Sequence, residues 1–310
     1  MKVLVVVGPT GVGKSDLGIA LAQKYNGEII SGDSIQIYKQ LDIGSAKVSK
    51  AEQKLVVHHL VDEYPLSDPF DVTMFQSQAR ALIRDITQRK KLPIIVGGTG
   101  LYISAVLKNY IFQEEVFDEA LVARLHATSN EDLFTELFEK DPIATKKIHV
   151  NNRPRLIRAL LIALTTNTLR SELEAKQDNR LLYDTFLVSL TMERQALYAR
   201  INERVLQMID DGLEAEVRTI LKDYPDAFKL RGMSGIGYKE WEPYFKTDSD
   251  YSLDQVIDRI QKHSRNYAKR QFTWFNNQFE TYVVDIEKEH YQEKLEADIS
   301  AWLEHEGMHV

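Results

Sequence analysis

Apolar residues run unbroken from Val3 to Val7 and stop at Gly8-Pro9. A short β-branched run bounded by turn residues predicts a strand buried on both faces. From Lys14 to Lys24 the spacing changes. Leu17, Ala20 and Leu21 fall on one side of a 3.6-residue repeat, which predicts a helix. Glu28 to Ile30 predicts a second strand ending at Ser31-Gly32-Asp33, and a polar loop follows through Tyr38, Asp42 and Gly44 to Lys47. Val56 to Val61 reads as a strand, and Val72 to Arg89 as a helix with Phe75, Ala79, Leu82, Ile83 and Ile86 as its apolar stripe. Leu92 to Val96 predicts a strand closed by Gly97-Gly98. Thr99 then stands where a helix reaching Leu107 needs an N-cap.

Strands alternating with helices imply a parallel sheet covered on both faces. Between residues 114 and 184 strand signals give way to charged helical patterns, so a helical insertion is expected there. The core then comprises residues 1–113 and 185–310, resuming with a strand at Thr185 to Leu190. Helices are predicted at Arg194–Asp210, Glu214–Leu221, Lys239–Phe245 and Leu253–Asn276, with a last strand at Thr281–Val284. Ligands bind at the carboxyl ends of strands in such sheets. Gly8–Ser15, Ser31–Asp33 and Gly97–Thr99 all follow strand ends, so they are expected to converge on one site.

Composition changes this picture little. With 44% hydrophobic residues in 310, a sizeable core can be buried. There is no cysteine, which excludes disulfides, thiolate metal sites and cysteine nucleophiles. No run is long enough to cross a bilayer and the Val3–Val7 run is too short for a signal segment, so a soluble cytoplasmic protein is expected. Charge matters more. The net value of −7 argues against a nucleic-acid partner, but its distribution is uneven. Lys146, Lys147, His149, Arg153, Arg155 and Arg158 form one basic stretch, and Arg259, Lys262, His263, Arg265, Lys269 and Arg270 form another. Acids gather at Glu114, Glu115, Asp118 and Glu119, and from Glu287 to Glu296. Each basic stretch can be a solvated helix face or a local phosphate-binding field.

The strongest chemical signal is Gly8-Pro9-Thr10-Gly11-Val12-Gly13-Lys14-Ser15, which fits G-x-x-x-x-G-K-[ST] between a strand and a helix. Its glycines let backbone N–H groups turn toward phosphate oxygens, at a helix N-terminus that also favours anions. Lys14 can neutralise the outer phosphate and Ser15 can hold Mg2+. The motif therefore predicts a P-loop NTPase-like α/β core that binds a di- or triphosphate, without naming it. The Leu92–Val96 strand ends in Gly-Gly-Thr, lacking the acid that organises metal in most nucleotide hydrolases and kinases. The phosphate grip therefore points to chemistry other than γ-phosphoryl transfer. Asp33 can be a metal ligand, a cap or a general base.

Further segments join this loop in order: Ser31-Gly-Asp-Ser-Ile-Gln-Ile-Tyr38, Asp42-Ile-Gly-Ser-Ala-Lys47, His58-His-Leu-Val-Asp62 and Pro93-Ile-Ile-Val-Gly-Gly-Thr-Gly-Leu-Tyr102. Arg155-Leu-Ile-Arg-Ala-Leu160, Gly235-Ile-Gly-Tyr-Lys239 and Ala268-Lys-Arg-Gln-Phe-Thr-Trp274 follow. Together they resemble the bacterial tRNA dimethylallyltransferases, also called tRNA isopentenyltransferases, over nearly the whole chain. The resemblance implies transfer of a five-carbon group from dimethylallyl diphosphate to N6 of adenosine 37, in tRNAs reading codons that begin with U. It implies that Gly8, Pro9, Thr10, Gly11, Val12, Gly13, Lys14 and Ser15 bind the diphosphate, with Mg2+ on Ser15. Asp33, Thr10, Lys14 and Arg204 are implied as catalytic, Asp33 accepting the amine proton. Ser34, Ile35, Gln36 and Thr99 are implied to meet the flipped adenosine alongside Asp33. Arg155, Arg158, Lys269, Arg270, Gln271, Thr273 and Trp274 are implied to contact the anticodon stem-loop. Gln36 could read the adenine through paired hydrogen bonds. Thr99 keeps its capping alternative, Arg204 that of an exposed helix arginine, and Trp274 and Phe275 that of core packing. The family often has an extra glutamine where this chain has Pro154. The adjacent His58 and His59 point to opposite strand faces and are expected to pack and cap rather than hold a metal. A monomer is expected.

Overall fold

The computed structural model describes residues 1–112, 118–166, 168–246 and 250–305. Two compact units emerge from its internal contacts: Met1–Leu107 with Leu181–Val310, and Lys108–Arg180. The expected boundary at 113/114 and the acids Glu114 and Glu115 lie outside the described residues.

The larger unit is built on a six-stranded sheet. In chain order its strands are β1 (Lys2–Val7), β2 (Gly27–Ser31), β3 (His58–His59), β4 (Leu92–Val96), β7 (Asp184–Thr191) and β8 (Tyr282–Asp285). They lie in the order β3-β2-β4-β1-β7-β8, every neighbouring pair parallel. Strand β1 shows why its sequence is apolar throughout. Val3, Val5 and Val7 enter the core on one face, Leu4 and Val6 that on the other. The two-residue alternation survives, but both faces are covered, so both sets are hydrophobic.

Helices α1 (Lys14–Lys24) and α13 (Tyr291–Glu304) pack on the Leu4/Val6 face, while α3 (Val72–Gln88), α4 (Gly100–Leu107) and α11 (Leu213–Asp223) pack on the other. Helices α10 (Arg194–Asp210) and α12 (Leu253–Gln278) serve both cores. On α10, Leu197 and Ile201 join one and Val205 the other; on α12, Ala268 joins one and Val256, Ile260 and Phe275 the other.

The smaller unit contains α5 (Glu119–Ala127), α6 (Asn130–Lys140), α7 (Pro142–Thr145), α8 (Arg153–Thr166) and α9 (Arg170–Lys176). Strand β5 (Lys108–Asn109) pairs with β6 (Asp178–Leu181) in a two-stranded sheet. Leu125, Leu133, Leu137, Leu156 and Leu160 form this unit's own core.

Four elements depart from expectation. The strand foreseen at Val56–Val61 is only the two residues of β3, because Leu60 and Asp62 adopt left-handed backbone, with φ of 60° and 58°. A short helix, α2 (Lys50–Leu55), precedes it. Ser49 and Glu52 form its capping box, and it buries no residue, so it carries no apolar periodicity to read. The helix foreseen at Lys239–Phe245 is a 3-10 turn at Lys239–Trp241, with Trp241, Tyr244 and Phe245 packed on one another. Helix α13 lay hidden in the acidic run and is held by Leu295 and Ile299.

Candidate active site

Strands β2, β4 and β1 are neighbours, so their carboxyl ends lie side by side. The loop after β1 needs its glycines. Gly8, Gly11 and Gly13 have φ of 144°, 82° and 94°, a region closed to most side chains. The cleft above these ends has a volume of about 850 Å³, and Thr10 to Ser15 (Val12 excepted), Asp33, Gly97 and Gly98 all line it. The three segments expected to converge therefore do so, although Thr99 itself is not among the lining residues. Thr99 precedes α4, and its carbonyl accepts from the Ile103 amide at 3.2 Å, as an N-cap residue's does.

Lys14 Nζ donates to the Pro9 carbonyl at 2.8 Å, so the ammonium rests against its own loop. Burial pushes it down from 10.5 to about 7; Arg204's charge adds to the fall and Asp33 opposes it. Arg204 is exposed on α10 and lines the cleft, whose walls desolvate and lower its guanidinium while Asp16 and Asp33 sustain it. It lies within a stripe of lining residues at 200, 203, 204, 207, 208 and 211. That is helical spacing, along a stripe that borders the buried Leu197, Ile201 and Val205. Arg200, Glu203, Gln207 and Asp211 were thus legible as a polar face, though not as a site wall. With Lys14, Arg200 and Arg204 lining one cleft with the glycine loop, the cleft can hold a polyanion.

Asp33 Oδ1 accepts from the amides of Ile35 at 2.8 Å and Gln36 at 3.3 Å. This turn fixes the carboxylate at the cleft floor and leaves Oδ2 outside those two bonds. Gln36 also lines the cleft, and its Nε2 donates to the carbonyls of Ser45 at 3.3 Å and Ala46 at 3.1 Å. Both partners are acceptors, so the amide nitrogen must face them. Gln36 then presents only its oxygen to a base, not the donor–acceptor pair expected from sequence. Ser34 and Ile35 are not lining residues, and Ile35 packs against the core.

Gln271 is buried. Its Oε1 accepts from the Thr10 amide at 2.8 Å and its Nε2 donates to the Gly98 carbonyl at 2.9 Å. It ties the phosphate loop to the turn after β4 while touching the cleft. Tyr267, one turn earlier on α12, also lines the cleft and went unread in sequence. Its hydroxyl donates to Gly98 O at 3.3 Å, and burial, with Asp33's charge adding, pushes it up to about 12. Trp274 packs against the core and donates to Ser104 Oγ at 3.4 Å. Phe275 is fully buried. Lys269, Arg270 and Thr273 are exposed on α12, and Arg270 lies over the Tyr267 ring at 5.5 Å.

Arg155 and Arg158 are exposed on α8 of the smaller unit. Arg153, from the same basic stretch, is instead structural. It donates to the carbonyls of Leu125, His126 and Thr128, capping the end of α5. His58 Nδ1 meets the Val56 carbonyl at 3.0 Å and His59 Nε2 meets Glu28 at 2.8 Å, both within packing. Among the described residues no group of three or more His, Asp or Glu could hold a metal ion, and no helix is long and apolar enough to cross a membrane. Ser15, Asp16 and Asp33 all line the cleft, and their oxygens suit Mg2+, which takes one or two protein oxygens and completes its shell with phosphate and water.

Comparison with known proteins follows the same lines. The profile of a family described as IPP transferase matches residues 36–278. A protein named tRNA dimethylallyltransferase from Anoxybacillus flavithermus is 46% identical over 286 residues, covering 92% of this chain and 90% of that one. Its namesake from Enterococcus faecalis is 42% identical over 310 residues, covering 98% of each. Among solved structures, the tRNA isopentenylpyrophosphate transferase of Bacillus halodurans superposes with a TM-score of 0.73 at 38% identity, over 98% of this chain and 97% of that one. A eukaryotic dimethylallyltransferase described as acting on tRNA reaches 0.81 at 30% identity, over 97% of this chain and 77% of its own.

Proposed function

The chain belongs to the IPP transferase family, and we propose that its phosphate loop and Asp33 divide the reaction between them, one receiving the leaving group and the other the proton. Its activity is the transfer of a dimethylallyl group from dimethylallyl diphosphate to tRNA. The acceptor is N6 of adenosine 37, in tRNAs reading codons that begin with U. The observation that carries this reading is that Lys14, Arg204 and Asp33 line a single cleft at the carboxyl ends of β1, β2 and β4.

The donor's diphosphate lies along Gly8–Ser15, where backbone amides, Lys14 and Arg204 meet its oxygens. As the allylic C–O bond breaks, negative charge builds on the diphosphate, and fixed donors stabilise charge best where it develops. Lys14 exchanges the Pro9 carbonyl for a phosphate oxygen. The adenine N6 is a weak nucleophile because its lone pair is delocalised into the ring. Asp33 accepts its proton as the new C–N bond forms. Mg2+, held by Ser15 with help from Asp16, would add positive charge at the leaving group. The adenosine must leave its stack to reach Asp33, as base-modifying enzymes generally require. Gln36 accepts from the N6 amine that marks adenine. Arg155, Arg158, Lys269, Arg270 and Thr273 supply phosphate contacts for the anticodon stem-loop. The reading extends to a monomer that acts in the cytoplasm, where tRNA is found.

The test is incubation with dimethylallyl diphosphate, Mg2+ and an unmodified tRNA carrying A36-A37-A38, followed by mass spectrometry of oligonucleotide fragments. Prenylation confined to position 37 is expected. Modification elsewhere, or of free AMP in preference to tRNA, would overturn the assignment.

A further inference from the structure

The Asp42–Lys47 loop forms one wall of the cleft, and it is fastened from outside by a carboxylate that takes no part in the chemistry above. Glu216, on α11, accepts from three successive amides. Its Oε2 receives Ile43 N at 2.8 Å and Asp42 N at 3.2 Å, and its Oε1 receives Gly44 N at 3.3 Å. The fully buried Tyr238 donates its hydroxyl to Oε1 at 2.7 Å and accepts from Ser45 N at 3.2 Å. Four consecutive amides thus end on one acid–phenol pair. The fit is close. Gly237 has φ of 98°, and a Cβ there would lie 2.5 Å from the Gly44 carbonyl oxygen. Lys47 secures the far end, its ammonium donating to Tyr38 O at 2.6 Å and to Asp42 and Asp62, each at 2.5 Å. The inner side of the same loop presents the Ser45 and Ala46 carbonyls that hold the Gln36 amide. Ala46 does so from left-handed backbone, φ 49°, a conformation the surrounding bonds must impose.

We infer that Glu216 is a positioning residue for the acceptor base: with Tyr238 it sets the Asp42–Lys47 loop, and through that loop the Gln36 oxygen that receives the adenine amine. The inference rests on the reading of Gln36 given above. It separates the loop's role from that of the phosphate grip, because neither Glu216 nor Tyr238 bonds to Gly8–Ser15. Losing the anchor therefore affects tRNA as substrate and spares the prenyl diphosphate.

Steady-state kinetics with each substrate varied in turn test this in Glu216→Gln and Tyr238→Phe, each made in the native and the Gln36→Ala background. Tyr238→Phe deletes a single hydroxyl and serves if Glu216→Gln fails to fold. Expected is an about tenfold fall in kcat/KM for tRNA with the donor KM within about twofold, shrinking to less than about twofold when Gln36 is already alanine, as coupled residues behave. A full loss persisting in the Gln36→Ala background, a parallel rise in donor KM, or no loss in any variant would overturn the inference. Gln36→Ala alone leaving the tRNA parameters unchanged would instead overturn the reading of Gln36, and the inference with it.

Discussion

Lys14 shows how one residue can be ready for an anion before the anion arrives. Its ammonium lies against the Pro9 carbonyl in a site that pushes it down to about 7, where an exposed lysine would hold its proton to 10.5. Between those values the unfolded chain binds the extra proton, so this group makes folding stability rise with pH across that window. On the proposed reading donor binding has the opposite sign, since a diphosphate bound at Lys14 favours the charged lysine. Calorimetric titration with dimethylallyl diphosphate should show Kd rising as pH increases from 7 to 9, approaching about tenfold per unit, with proton uptake. Lys14→Met should bind more weakly at pH 7 and lose that slope. A native protein with a flat profile would show that Lys14 does not meet the diphosphate.

At the scale of elements, β2 divides its work between its two ends. Its carboxyl end leads to Asp33. Near its amino end the buried Glu28 binds Arg89 at 2.5 and 2.7 Å, Lys91 at 2.8 Å and His59 at 2.8 Å. Arg89's hydrogen bonds hold the Glu28 carboxyl well below the usual range against the opposing effect of burial, with Lys91 and His59 adding. That stabilisation is complete above the ordinary glutamate value of 4.5 and is lost as pH falls below it. Glu28→Gln should lower stability by about 1–3 kcal/mol in urea titration, a range that allows for partly exposed partners. It should leave both KM values unchanged. If activity fell with stability intact, Glu28 would belong to the site. Elements like β2 were legible because their apolar run and the turn after it carry separate signals. Helix α2 was not, since a capping box on a turn that buries no residue leaves no stripe. Gln271 and Arg153 show the same limit for side chains. The resemblance set Gln271 among RNA-facing residues and the basic stretch held Arg153, and only the fold shows that one ties two loops together and the other caps a helix. Asp33 and the phosphate loop could be read because backbone chemistry and topology alone put them together.

For the molecule as a whole, the net charge of −7 and an RNA substrate are reconciled by distribution. Arg155, Arg158, Lys269 and Arg270 are exposed, and on the proposed reading they act through local fields, which salt screens within about 10 Å at 0.1 M. Raising salt from 50 to 200 mM should therefore weaken tRNA binding by tenfold or more and change donor binding far less, as filter-binding and calorimetry can report. Arg155→Ala or Lys269→Ala should each reduce the salt slope by about one. An unchanged slope in both would remove these residues from the RNA contact.

The central claim is that Asp33 takes the proton while the phosphate loop takes the leaving group. It is tested most directly by single-turnover prenylation in Asp33→Asn, with donor and tRNA affinities measured on the same protein. Asparagine keeps an oxygen for the Ile35 and Gln36 amides, so the turn survives while the base is removed. The account predicts both affinities within about twofold of the native enzyme and a rate lower by about 100-fold or more. A rate within a few-fold of native, at unchanged affinities, would contradict it.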